Sequence, residues 1–97
     1  MRVKFRAKTL TDVEFLSETK ARVKVKHGKN MEAYVYIGEK RFNDCQVRYL
    51  RKNTYCLIEG MIVTNVCGES MFATINAVRI DIGNIYDTKT MEFIQIT

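Results

Sequence analysis

Arg2, Lys4, Arg6 and Lys8 alternate with Val3, Phe5 and Ala7 at the start of the chain. A period of two puts the cations on one face of a strand and the apolar residues on the other. Like charges along about 20 Å of strand repel one another. A phosphate backbone would relieve that repulsion; lysines that keep an edge strand from aggregating give the same pattern. Arg22, Lys24 and Lys26 repeat it against Ala21, Val23 and Val25. If the two strands are neighbours, their basic faces form a patch of up to seven cations. Tyr34 and Tyr36 then occupy the polar side of a third alternation, opposite Met31, Ala33, Val35 and Ile37. Rings at that spacing can stack on bases, pair across strands, or cover a second apolar layer.

The charge distribution points the same way. The chain has 97 residues and a net charge of +5. Residues 1–29 hold nine Lys/Arg against three Asp/Glu, whereas residues 61–97 hold two against four. A positive first third suits a polyanionic partner: RNA, single-stranded nucleic acid, or an acidic protein surface. A solvated face that only maintains solubility gives the same count, and an anionic small ligand would use the same cations.

Nothing in the pattern marks an enzyme. His27 is the one histidine, no Gly-x-Ser-x-Gly elbow is present, and the carboxylates are scattered. Neither glycine-rich phosphate motif occurs. Cys45, Cys56 and Cys67 are eleven residues apart, without metal or redox spacing, and sit beside apolar residues. They read as reduced core residues. No catalytic residue, metal or cofactor is expected, and His27, in a His27–Asn30 turn, is expected to be solvated. No apolar run reaches the length of a bilayer span, and residues 1–8 lack the apolar centre of a signal peptide. The expected setting is cytoplasmic, with no membrane.

The elements that must position these residues are strands. Tyr55–Val66 is a nearly unbroken apolar run, rich in β-branched residues, with Glu59 its one charge and Gly60 at its middle. It reads as one or two buried strands with a bulge or bend at the glycine. Thr11-Asp12-Val13-Glu14 has the form of a capping box, which predicts a short helix near 12–18 or else a loop. Cys45–Leu50 reads as a strand, although Phe42, Cys45, Tyr49 and Leu50 also fit helical spacing. Turns are expected at 38–41, 43–44, 51–54, 66–69, 83–84 and 87–90. Strands are expected at 71–82, irregular near Asn76, and at 91–96. Many short strands between turn signals predict a single all-β domain over residues 1–97, a small, strongly bent barrel of SH3-like or Sm-like type with additional terminal strands.

Residues 23–66 resemble Sm-like domains, the bent-strand barrels of RNA-binding rings. The resemblance lies in Val23–Lys29 with its glycine turn, in the spacing of Met31, Val35, Phe42 and Asn43, and in Leu57–Val63 around Gly60. Ala33, Glu39 and Glu59 stand where that family has glycine, aspartate and a base-holding arginine. The resemblance implies that Asn43 contacts a base and that Arg41 stacks or binds phosphate.

The sequence thus leads to a non-catalytic nucleic-acid-binding module, with RNA or single strands favoured. Its candidate contacts are Arg2, Lys4, Arg6, Lys24, Lys26, Tyr34, Tyr36, Arg41 and Asn43. The alternative is a protein-interaction or regulatory module, possible as a homo-oligomer joined through strand edges.

Overall fold

The computed structural model describes residues 1–29, 31–66, 71–82 and 93–95. Alternation is realised strictly in the first strands. In β1 (Arg2–Thr9), Val3, Phe5, Ala7 and Thr9 are buried and the cations between them are half-buried. β3 (Ala21–His27) and β4 (Met31–Ile37) repeat the pattern and pair antiparallel along their whole length. Between β1 and β3 lies a two-residue strand, β2 (Glu14–Phe15), paired with the start of β3.

β5 (Tyr55–Val66) and β6 (Met71–Ile82) are long strands that pair with each other antiparallel. β5 also pairs with β1, and β6 pairs in parallel with β4. β1 closes the ring against β3 through Lys8↔Lys26 and Thr9↔Val25. The result is a closed barrel in the order β1-β3-β4-β6-β5-β1, with β7 (Phe93–Gln95) as an extra strand on β1. Its interior holds Phe5, Val23, Val25, Val35, Ile37, Ile58, Ile75 and Ile80, among others.

Gly60 lies where the ladder shifts. Glu59 faces Arg79 and Gly60 faces Ala77, so Val78 is the extra residue of a bulge. A Cβ at Gly60 would fall 2.5 Å from the Asn76 carbonyl oxygen and 2.7 Å from Ile75 Cγ2. Glycine therefore lets β5 and β6 approach and bend together. The expected irregularity near Asn76 is this bulge.

Three local expectations are corrected. Residues 12–18 do not form a helix: both capping-box groups are engaged by β3. Thr11 Oγ1 accepts from the Lys24 N–H at 3.3 Å, and Glu14 pairs with Arg22. Cys45–Leu50 is not a strand but a turn leading into a 3₁₀ segment, Val47–Tyr49, entered through a left-handed Gln46. It plugs the barrel with Cys45, Val47 and Leu50, while Tyr49 is 72% exposed. A second 3₁₀ segment, Glu39–Arg41, follows β4.

The third correction concerns His27, which ends β3 and is buried rather than solvated. Its Nδ1 lies 2.6 Å from the Arg6 carbonyl oxygen, and its ring meets Phe5 edge-on at 5.5 Å. The carbonyl accepts, so Nδ1 carries the proton. The expected turns at 83–84 and 87–90, most of that at 66–69, Asn30, Cys67 and the ends of the 91–96 strand lie outside the described residues.

Candidate nucleic-acid interface

The pleat turns alternate residues of β3, β4 and β6 to the outside, and the register aligns them in rows. Lys26, Glu32 and Phe72 form one row; Lys24, Tyr34 and Thr74 the next; Arg22, Tyr36 and Asn76 the third. Tyr34 is the centre of this face. The Arg22 guanidinium lies 5.0 Å and Lys24 Nζ 5.8 Å from its ring centroid. Phe72 meets it edge-on at 5.6 Å, and Tyr36 lies tilted at 6.5 Å. The tyrosines are half-buried and Phe72 is exposed, so the face presents adjoining aromatic surface bordered by cations.

Two of those cations already have carboxylate partners. Arg22 Nε donates to Glu14 at 2.7 Å, and Lys24 Nζ reaches Glu32 at 3.2 Å. The hydrogen bond to Glu14, and after it one to Tyr36, raises the Arg22 pKa above its usual value. Such solvent-facing pairs are weak and screened by salt. They hold the cations in place over the ring without closing the face to an anion.

β1 carries the other basic row. Its neighbour on one side is β5, which sets Lys4 opposite Glu59, Arg6 opposite Leu57 and Lys8 opposite Tyr55. Arg2 donates to Glu59 at 2.9 Å, and Lys8 sits 5.8 Å from the Tyr55 centroid. β1 meets β3 only at its end, so the two basic faces touch at Lys8 and Lys26 and do not merge into one patch of seven. Opposed lysines repel.

The third row opens into a groove of about 520 Å³. Ala21, Ile37 and Ala77 lie beneath it; Tyr36 and Asn76 join it to the aromatic face; Leu16, Lys20 and the Gly38–Arg41 segment form its sides. Arg41 and Tyr36 thus line the same groove. Asn43 is exposed and lines a separate recess with Phe42, Gln46 and Arg48. Tyr34, Tyr36, Lys24 and Lys26 share one face, whereas Arg2, Lys4 and Arg6 lie on the other basic row.

Phe72, Asn76, Lys20 and Lys40 were absent from the residues that the sequence singled out. Alternation along 71–82 exposes Phe72 and Asn76, but nothing local shows that β6 lies beside β4. Lys20 lies in the β2–β3 connection and Lys40 in the short 3₁₀ segment Glu39–Arg41, where periodicity carries no signal.

Cys45 and Cys56 are buried free thiols. Burial pushes both up to about 12, with Asp44 adding to the effect at Cys45. That is the opposite of an activated nucleophile. Among the described residues no group of three or more His, Cys, Asp or Glu side chains gathers as a metal site. Among the described residues no helix is long and apolar enough to cross a membrane. No protein-family model, curated protein or solved structure matches the chain.

Proposed function

We propose that this protein is a non-catalytic module that binds single-stranded nucleic acid, RNA in preference to duplex, on the outer face of β3, β4 and β6. The observation that carries this reading is the outward-facing aromatic group Tyr34, Tyr36 and Phe72 with Arg22 and Lys24 over the central ring. Bases stack on such rings and phosphates follow the bordering cations. A core needs none of these side chains, because the inward residues of the same strands already fill it.

The strand order supports the reading by analogy of fold. Counted over the barrel, the first strand is followed by the second, third, fifth and fourth, with the third and fifth parallel. This Greek-key closure resembles the OB-fold, whose second and third strands form an oligonucleotide face. Here those strands are β3 and β4. The resemblance of residues 23–66 to Sm-like domains implies the same ligand class through a different residue, Asn43. Asn43→Ala separates the two routes, since it lies away from the aromatic face.

The β1 row supplies long-range attraction, and free thiols at Cys45 and Cys56 suit a reducing, cytoplasm-like setting. The test is fluorescence anisotropy with labelled single-stranded RNA, single-stranded DNA and duplex DNA, at low and physiological salt. Binding to a single strand that survives physiological salt is expected. Equal binding to all three that vanishes with salt would overturn the reading.

A protein partner is the second reading. Phe15 and Leu16 are 59% and 48% exposed, and Phe15 lies 6.2 Å from Phe42. That apolar surface suits a protein contact, including a second copy of the chain. Light scattering across a concentration series tests self-association: a strict monomer at high concentration removes the homo-oligomer.

A further inference from the structure

The groove beside the third row differs from the aromatic face in its charge. On the face, Arg22 and Lys24 are paired with Glu14 and Glu32. In the groove, Lys20, Lys40 and Arg41 form no ion pair among the described residues, and Glu39 is its only carboxylate among the lining residues. The cations over the Tyr34 ring are therefore paired and those of the groove are not, although Lys26 at the far row of the face also forms no ion pair among the described residues; face and groove meet at Tyr36 and Asn76. Asn76 offers an amide donor and acceptor to a base edge, and Tyr36 offers a ring whose neighbour Arg22 is already fixed. The groove's volume, about 520 Å³, is within the range of small-molecule sites.

We propose that this groove is a nucleotide site that takes one end of the bound single strand. Its phosphate lies among Lys20, Lys40 and Arg41, its base lies against Tyr36, and its edge meets Asn76. This rests on the nucleic-acid reading above and sharpens it, because a groove at one end of the stacking face gives the strand a fixed direction. Arg41, which the Sm-like resemblance also singled out, thus becomes a phosphate contact together with its neighbour Lys40 and with Lys20 from the β2–β3 connection.

The experiment compares three variants with the full chain, using a labelled 12-nucleotide single-stranded RNA. One is the groove triple Lys20→Ala, Lys40→Ala, Arg41→Ala. The second removes equal charge at exposed positions outside the candidate contacts, Lys29→Ala, Lys52→Ala, Arg79→Ala. The third is Tyr34→Ala. Thermal melts confirm that each is folded. The groove triple is expected to weaken binding by at least about tenfold more than the control triple at physiological salt, and to flatten the salt slope by about 2.

If Tyr34→Ala weakens binding but the two triples behave alike, the groove site is overturned and the aromatic face stands. If neither Tyr34→Ala nor the groove triple weakens binding, both are overturned. A 4-thiouridine moved along the RNA should crosslink to peptides containing 16–20 or 38–41 from one end only. Equal crosslinking from both ends would overturn the fixed direction.

Discussion

Two stretches of this chain carry nearly the same pattern and acquire different surfaces. Arg2-x-Lys4-x-Arg6 on β1 and Arg22-x-Lys24-x-Lys26 on β3 are both cation ladders over a buried apolar face. β3 is flanked by β4, so its cations lie beside Tyr34 and Tyr36, and Phe72 of β6 completes the aromatic group. β1 is flanked by β5, so its cations face Glu59, Leu57 and Tyr55. On the proposed reading, a basic strand can serve for base stacking only when the adjoining strand supplies rings at the same level of the pleat. Charge attracts a polyanion from a distance, but it does not hold one in register.

The comparison is broken most severely at Gly60, which lets β5 follow both β1 and β6. Gly60→Val places a branched side chain against the Asn76 carbonyl and Ile75. Expected is a loss of about 3 kcal/mol or more in urea unfolding, with both faces lost together. A variant of unchanged stability would show that the close approach at Gly60 is not required.

Next in size is Tyr34→Ala. Stacking is worth about 1–3 kcal/mol per base, so single-strand binding should weaken by roughly five- to 150-fold while the salt slope stays the same. Lys4→Ala on the other ladder should cost less and instead flatten the salt slope by about 0.7. If the two substitutions have the same signature in a salt titration, the two faces are not functionally distinct.

A smaller effect sharpens the contrast. Glu32→Gln releases Lys24 beside the Tyr34 ring, whereas Glu59→Gln releases Arg2 on the β1 row. The first should tighten single-strand binding a few-fold more than the second, measured by anisotropy at low salt. Equal gains would place the strand on both ladders.

A separate effect concerns pH, acts on stability rather than binding, and lies under the β1 row. Cys56 is opposite Ala7, and its Sγ donates to the Ala7 carbonyl at 3.7 Å. Burial raises its pKa, and that of Cys45, from 9.0 to about 12. The unfolded chain therefore loses these protons first as pH rises. The stability is fully present below pH 9 and declines between about 9 and 12. Cys56→Ala should flatten that decline in denaturant melts across the range. In a Cys67→Ser protein at pH 8, a thiol reagent should leave native Cys45 and Cys56 unlabelled until unfolding.

The all-β class, the strands β1, β3 and β4, the long apolar β5 and the break at Gly60 were legible because each is written in neighbouring residues. The segments 12–18 and 45–50 were not. At Thr11 and Glu14 the capping groups are competent for a helix, but β3 offers them a backbone N–H and a guanidinium instead. At Cys45–Leu50 neither a period of two nor one of 3.6 applies. The left-handed Gln46 sets which side chains point inward, and the end of the barrel needs a plug of that shape. The burial of His27 is not legible for the same reason: its partner, the Arg6 carbonyl, is 21 positions away.

Alternation is a local property, so the sequence by itself determined which side chains of each strand face the core and which face out. It also determined that cations and tyrosines would be among the outward ones. Which outward rows lie side by side depends on contacts between distant segments, set by how the barrel closes. Only the tertiary structure decided that β6 joins β4 in parallel, bringing Phe72 to Tyr34 and Asn76 to Tyr36. Only it decided that β1 and β3 meet over two residue pairs, which keeps the two ladders apart. The physical reason is that a closed barrel must pair every strand on both sides while burying one apolar face, and that condition acts on the whole chain at once.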